Sequence, residues 1–321
     1  MRKIAFFSTY NKDVLDLYMQ YCPSQFEVLF ASPSSSLDEM IHVAEKAEAI
    51  ILHAMSLPKE VYKVAKNTKL LQLLSAGYDN VNFELTKEMN IPIANIGGTN
   101  APGVAEIVLL LILGVYRRIV PMDYAVRNGK WLKDVITGYP IMEIAGKTVG
   151  IAGLGNIGRT LAKRLQGFDV SIIGYDLLPP LESEKSLNIK RVSKNNLFKE
   201  SDIISLHIPL LPQTKHFVGG HELSLMNKNS ILINTSRGPV VDEKALVSVL
   251  QKNKIAGAGL DVFEEEPINR DNPLLSLDNV VLTPHAAGST RESWPRRAIF
   301  AFENIKRIFN QKEALSLIKN E

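Results

Sequence analysis

The run Gly153-Leu154-Gly155-Asn156-Ile157-Gly158, followed by Asp176, limits what this chain can fold into more than any other feature of its 321 residues. Lys147-Thr148-Val149-Gly150-Ile151-Ala152 before it is an apolar, β-branched strand candidate. Arg159 to Gly167 after it reads as a helix, with Leu161, Ala162 and Leu165 at helical spacing. Val170 to Tyr175 reads as a second strand, and Asp176 at its end lies 18 residues past Gly158. A strand–turn–helix–strand unit of this kind offers backbone N–H groups and a helix N-terminus to a pyrophosphate. Gly153 permits the tight turn, Gly155 lets phosphates approach the backbone, and Gly158 lets the helix pack close to the strand. A carboxylate at Asp176 can accept both ribose hydroxyls of NAD. A glycine run alone is weak evidence, but strands, helix and acid together point to a dinucleotide site.

The rest of the chain repeats the alternation. Strand candidates are Ile4–Ser8, Phe26–Phe30, Ala49–Leu52, Leu70–Leu74 and Pro92–Asn95, with helical runs Val14–Tyr21, Leu37–Lys46, Glu60–Lys66 and Phe83–Met89 between them. A second series starts at Thr148 and continues through Val170–Tyr175, Asp202–His207, Ser230–Asn234, Ala256–Leu260 and Val280–Thr283. The pattern predicts an α/β protein of two Rossmann-like, doubly wound parallel-sheet domains with a cleft between them. Ala101 to Arg127 contains a long helix, apolar nearly all round over Val104–Val115, which needs cover from a domain or a partner subunit. A closing helical run, Ser289–Asn310, carries Pro295 early, where a missing N–H costs least. We expect the tail to return to the first domain. Residues 1–99 and 289–321 then form a discontinuous substrate domain, and residues 100–288 the NAD-binding domain.

Composition excludes several classes. The chain is 45% hydrophobic and 22% charged, and 37 basic against 34 acidic residues leave a net charge of only +3. No strong field favours nucleic acid or a membrane surface. Cys22 is the only cysteine, which rules out an intrachain disulfide and fits a reducing compartment. The apolar run at Ile4–Phe7 is too short for a signal-peptide core, and Ile107–Val115 is half a membrane span, so the cytoplasm is expected. Six scattered histidines show no metal-ligand spacing, and no metal is expected.

Three strands of the second series end in ionisable residues. Asn234-Thr235-Ser236-Arg237-Gly238, Asp261-Val262-Phe263-Glu264-Glu265-Glu266-Pro267 and Thr283-Pro284-His285 follow successive strands. Carboxyl ends of parallel strands face the ligand crevice. Hydride transfer to a keto acid wants a cation for the carboxylate and carbonyl, and a proton donor titrating near neutrality. Arginine supplies the first. Histidine supplies the second, and a neighbouring carboxylate orients its ring and favours its charged form.

With these motifs on the page, the chain resembles the D-isomer-specific 2-hydroxyacid dehydrogenase family over most of its length, most strongly from Leu74 to Gly288. The resemblance rests on Ser75-Ala76-Gly77-Tyr78-Asp79-Asn80, Asn100-Ala101-Pro102-Gly103-Val104-Ala105-Glu106, the glycine run with Asp176, His207-Ile208-Pro209-Leu210-Leu211-Pro212, Ser236-Arg237-Gly238, Asp261 to Pro267 and Thr283-Pro284-His285. It implies that Arg237, Glu266 and His285 are catalytic, with Glu266 preferred to Glu264 and Glu265 because the family's acid immediately precedes the proline. It further implies that Val104, Gly153, Gly155, Asn156, Ile157, Gly158, Asp176, His207, Ile208, Pro209, Thr214, Thr235, Ser236, Arg237, Asp261, His285 and Gly288 line the cofactor. Asp261 is then a partner of the nicotinamide carboxamide, although by itself it reads as a turn or cap residue. The substrate side is expected at His53, Ala54, Met55, Ser75, Ala76 and Gly77, together with Arg237 and His285. A homodimer through the NAD-binding domain is implied as well.

The activity so implied is NAD-dependent interconversion of a small 2-keto acid and its D-2-hydroxy acid. Phosphoglycerate and phosphite dehydrogenases share the fold, and a NAD-sensing corepressor is the alternative from another class. Against the corepressor, all three catalytic positions are intact. Loop His53-Ala54-Met55 has no arginine to hold a phosphate, and Leu177, Leu178 and Pro179 after Asp176 provide none for a 2′-phosphate. His42, His216 and His221 read as surface residues, and Trp131 and Trp294 as packing residues.

Overall fold

The computed structural model describes residues 1–131 and 141–318. The chain forms two compact units, Met1–Asn100 with Ser289–Glu321, and Ala101–Gly288.

The first unit alternates β1 (Arg2–Ser8), α1 (Lys12–Met19), β2 (Phe26–Ala31), α2 (Leu37–Glu45), β3 (Ala49–His53), α3 (Lys59–Val64), β4 (Leu71–Leu73), α4 (Phe83–Glu88) and β5 (Ile93–Ala94). The strands form one parallel sheet in the order β2-β1-β3-β4-β5, so the order reverses between β1 and β3. Local chemistry sets the helix starts. Asn11 caps α1 by accepting from Val14 N at 3.1 Å, and Ser36 with Glu39 forms a reciprocal capping box on α2. Ile4, Phe6, Ile51 and Leu74 on one face, and Phe7, Ile50 and Leu71 on the other, bury both sides of the sheet.

The second unit opens with α5 (Ala101–Tyr116) and α6 (Ile119–Arg127). The long helix expected within this stretch is α5, and it ends before Arg118, which takes a left-handed backbone, φ 55°, ahead of α6. Then come β6 (Thr148–Ala152), α7 (Asn156–Leu165), β7 (Ser171–Tyr175), α8 (Glu182–Ser186), β8 (Lys190–Arg191), α9 (Lys194–Glu200), β9 (Ile203–Leu206), α10 (Gly220–Leu225), β10 (Ile231–Asn234), α11 (Glu243–Gln251), β11 (Gly257–Leu260) and β12 (Val280–Leu282). All seven strands are parallel, in the order β12-β11-β10-β9-β6-β7-β8, and the reversal falls between β6 and β9. The apolar α5 is covered within its own unit, where Val108, Leu111 and Ile112 pack with Val149, Ile151, Leu161 and Ile231.

The last helix, α12 (Ser293–Phe309), packs in the first unit with α1 and β4. A buried amide pair holds the tail there. Asn304 Nδ2 donates to Gln72 Oε1 at 2.8 Å, and Asn304 Oδ1 accepts from Leu315 N at 2.8 Å. Among the described residues, no helix is long and apolar enough to cross a membrane.

Candidate active site

The glycine run lies at the reversal point of the second sheet. Gly153 has φ +93°, and a Cβ there would stand 2.5 Å from the His207 carbonyl oxygen, so β6 and β9 can end side by side only around a glycine. Gly155 is the N-cap of α7 and brings no side-chain cap. The space over its Cα is open, with no atom within 4 Å of the position a Cβ would take. An uncapped helix start beneath an open cradle is what a pyrophosphate requires. Asp176 is held in place at the end of β7, because its Oδ2 accepts from Leu154 N at 2.6 Å and its Oδ1 from Leu178 N at 2.9 Å. Two further polar atoms fit a ligand here. Thr235 Oγ1 and His207 Nδ1 are buried with no hydrogen-bond partner among the described residues. Burial pushes the His207 imidazole down to about 3, so the ring is neutral and tied through Nε2 to Ser205 Oγ at 2.9 Å. These residues fit NAD.

The three ionisable loops of the same unit are built by buried polar side chains. Asn234, 1% exposed, accepts from Ser236 N and Ser236 Oγ and donates to the Arg237 carbonyl at 2.9 Å. That folds the Arg237 turn tightly, and a Cβ at Gly238 would collide with the Phe263 carbonyl, so this turn rests directly on the next one. Asp261, also 1% exposed, shapes the His285 loop. Its Oδ1 accepts from Thr283 Oγ1 at 2.6 Å and Ala286 N at 3.0 Å, its Oδ2 from Ala287 N at 3.0 Å, and its carbonyl from His285 N at 2.7 Å. Under this clamp His285 adopts a left-handed backbone, φ 51°, which costs free energy and is typical of functional positions.

His285 Nδ1 meets Glu266 Oε2 at 2.7 Å, and Glu266 Oε1 accepts from Phe263 N at 3.0 Å. Burial raises the Glu266 pKa, but the bonds from His285 and Phe263 and the charges of His285 and Arg237 outweigh it, and the carboxyl ends below its usual range. Of the three adjacent acids, only Glu266 is bonded to His285. Glu264 turns instead to His216, at 3.1 Å, and to the N-terminus of α11. Sequence reasoning passed over Asn234 as a positioning residue, although an asparagine closing a buried strand before a tight turn is a usable signal.

The first unit carries its candidates at the ends of β3 and β4. Ala54 has φ 52° and points outward, while Met55 is buried. Leu52, Met55, Leu73 and Val81 line a small, open pocket together with Ala54, Ser75, Gly77, Tyr78 and Asn80. Ser75 Oγ donates to the Gly77 carbonyl at 2.6 Å and Asn95 Nδ2 to the Ala76 carbonyl at 3.2 Å, which fixes the carbonyls of this turn. His53 is stacked on Tyr10, with ring centroids 3.7 Å apart, and burial followed by the charge of Arg297 pushes it down to about 3. It is therefore neutral and offers no cation.

Several sequence-based expectations need correction. Arginine is missing from the His53 loop only in sequence, because Arg297 of α12 reaches this corner, 5% exposed, donating to Tyr10 Oη at 3.4 Å. Likewise Arg191 of β8, a strand too short to show in the pattern, stands under the Asp176 turn. Trp131 is 79% exposed among the described residues, whereas Trp294 packs against the core that contains Phe6 and Phe302. His42, His216 and His221 are exposed as expected. Among the described residues no three His, Cys, Asp or Glu side chains group to hold a metal.

Residues 109–287 match the family described as D-isomer specific 2-hydroxyacid dehydrogenase, NAD binding domain. A glyoxylate reductase from Thermococcus litoralis is 41% identical over 267 residues, 82% of this chain and 80% of the relative. A hydroxypyruvate reductase from Thermotoga maritima is 37% identical over 277 residues, 85% of this chain and 88% of the relative. An acyclic imino acid reductase solved in complex with NADPH and D-Arg superposes with a TM-score of 0.84 at 33% identity, covering 99% of this chain and 100% of that one.

Proposed function

The chain belongs to the D-isomer-specific 2-hydroxyacid dehydrogenase family and is an NAD-dependent oxidoreductase of 2-keto and 2-hydroxy acids, and we propose that Arg237, Glu266 and His285 carry its chemistry on a small, unphosphorylated substrate. The observation that carries the assignment of roles is the 2.7 Å bond between His285 Nδ1 and Glu266 Oε2, in a unit whose neighbouring turn presents Arg237. Bound NADH supplies the hydride. Arg237 pairs with the substrate carboxylate and polarises the carbonyl. Glu266 engages Nδ1, which leaves Nε2–H of the charged ring as the proton donor to the carbonyl oxygen. In the oxidative direction the same nitrogen takes the proton back.

The apolar lining of the first unit's pocket supports glyoxylate, hydroxypyruvate or a short aliphatic 2-keto acid over 3-phosphohydroxypyruvate. A phosphate against Leu52, Met55 and Val81 loses hydration with little return. His53 is neutral there, and Arg297, whose charge reaches it, is almost wholly buried and donates to Tyr10. A panel of 2-keto acids assayed with NADH tests this: kcat/KM is expected to be higher for the small acids, and a clear preference for the phosphorylated one refutes it.

Asp176 repels a 2′-phosphate, so NADH is preferred to NADPH, and equal efficiency with both contradicts that. A homodimer through the NAD-binding unit is supported by the exposed apolar side chains Leu110, Ile119, Val120, Tyr124 and Val126 on α5 and α6. A monomer in sedimentation at micromolar concentration counts against it. The sole cysteine supports the cytoplasm as its compartment.

A further inference from the structure

Arg191 lies where nothing in the reaction asks for an arginine. It sits on β8, paired with Gly174 of β7, the strand that ends at Asp176. Its Nε donates to Glu184 Oε2 and its Nη2 to Glu184 Oε1, both at 2.8 Å. Its Nη1 donates to the Leu178 carbonyl at 2.6 Å and to the Asp176 carbonyl at 3.2 Å. Four of the five guanidinium N–H groups are therefore engaged below the ribose-reading turn. Glu184, whose side chain is only 4% exposed, also accepts from Leu181 N at 3.0 Å. The segment from Asp176 to Glu184 is thus laced to a single fork, buried at its Glu184 end and 24% exposed at Arg191.

A half-buried ion pair of this kind is a poor source of net stability, because both charges lose part of their water. What it fixes is position and charge. The turn beside it is otherwise two exposed leucines, Leu177 and Leu178, with nothing apolar holding them down. A guanidinium this close to Asp176 would also suit a 2′-phosphate, were it not already neutralised and turned toward Glu184. Arg159 of α7, bonded to the Leu154 carbonyl and to Asn156 Oδ1, adds a second cation on this side.

We propose that Glu184 and Arg191 determine cofactor selectivity: the pair holds the Asp176–Leu178 turn in place for an unphosphorylated ribose, and Glu184 withholds Arg191 from a 2′-phosphate. The proposal rests on the reading of Asp176 as the ribose acceptor. Glu184 and Arg191 are specificity-determining and positioning residues, since neither is read as touching the reacting atoms.

The test is titration calorimetry of NAD+ and NADP+ on the intact protein, with melting curves and with kcat and KM for NADH measured alongside. Glu184→Gln keeps the shape and frees the cation, so the NADP+/NAD+ affinity ratio is expected to rise about tenfold while kcat with NADH changes less than twofold. Adding Arg191→Met to Glu184→Gln removes that gain. Arg191→Met alone is expected to raise KM for NADH several-fold with kcat retained, and Arg191→Lys to recover only part of it, because an ammonium cannot span the carboxylate and two carbonyls. A ratio unchanged in Glu184→Gln, or a gain that survives the loss of Arg191, overturns the proposal. If Glu184→Gln melts much earlier than the wild type, Arg191→Met decides, and a fall in kcat equal to the rise in KM overturns it. Asp176→Ser separates the two readings. If it leaves the ratio unchanged, the ribose assignment fails; if it raises the ratio and Glu184→Gln does not, only the present inference fails.

Discussion

The two sheets reverse their strand order in the same way and end very differently. In the first unit the reversal between β1 and β3 is filled by Tyr10 stacked on His53, and α1 is closed by its own Asn11 side chain. In the second unit the reversal between β6 and β9 is narrowed by Gly153 alone, and α7 starts at Gly155 with no side-chain cap and open space above it. The topology provides a crevice in both places. Whether a phosphate group can enter depends on two details: a cap on the helix and a ring over the strand ends. The first unit satisfies its own helix N-terminus, and the second leaves the N–H groups for a ligand.

The largest effect expected from breaking this contrast is at Gly155. Gly155→Asn gives α7 the cap that α1 has and fills the cradle, so the NADH Kd should rise at least about tenfold, or about 1.4 kcal/mol, with no loss of melting temperature. Unchanged NADH fluorescence titrations would show that the open cradle is not the phosphate site. The reciprocal change, Asn11→Ala, should cost roughly 1 kcal/mol in urea unfolding and leave the NADH Kd where it was. A shift in cofactor affinity there would mean the two helix starts do not act independently.

The smallest effect concerns the two neutral histidines, one at each reversal. His53 and His207 are both held near 3, below the ordinary 6.5. A group whose folded pKa is depressed binds its proton only on unfolding, so each makes stability fall as pH drops from about 6.5 toward 3. His53→Gln and His207→Gln should each flatten that slope. Arg297→Met should raise the His53 pKa, because it removes one of two causes, and leave His207 unchanged, since burial alone lowers it. Imidazole resonances followed by NMR across pH 3–7 report both. Equal shifts in the two rings would contradict the assignment of causes.

Most of the second unit was legible because its chemistry is local in sequence. The glycine run, its strand and Asp176 lie within 30 consecutive residues, and Glu266 and His285 stand in the loops that follow β11 and β12 of a parallel series. What could not be read is what arrives from elsewhere. Arg297 reaches the His53 corner from a helix more than 200 residues away, so an arginine absent from a loop is not absent from the place. Arg191 rides on a two-residue strand with no period to detect. The break at Arg118 leaves no mark in the apolar pattern, because a left-handed residue between two helices needs neither glycine nor proline. Trp131 reads in the sequence as a packing residue, and the structure places it 79% exposed among the described residues. Asp261 was read both as a turn residue and as a cofactor partner, and its three side-chain bonds show how fully the turn engages it.

The most direct test of the account is His285→Ala, with turnover and NADH binding measured on the same preparation. The loop is held by Asp261 through the main chain, so the variant should fold and bind NADH within about twofold of the wild type. Its kcat for glyoxylate or hydroxypyruvate should fall on the order of 10²–10⁴-fold, the usual loss for a positioned proton donor. Turnover at the wild-type level would contradict the account, and so would a loss of turnover fully explained by lost NADH binding.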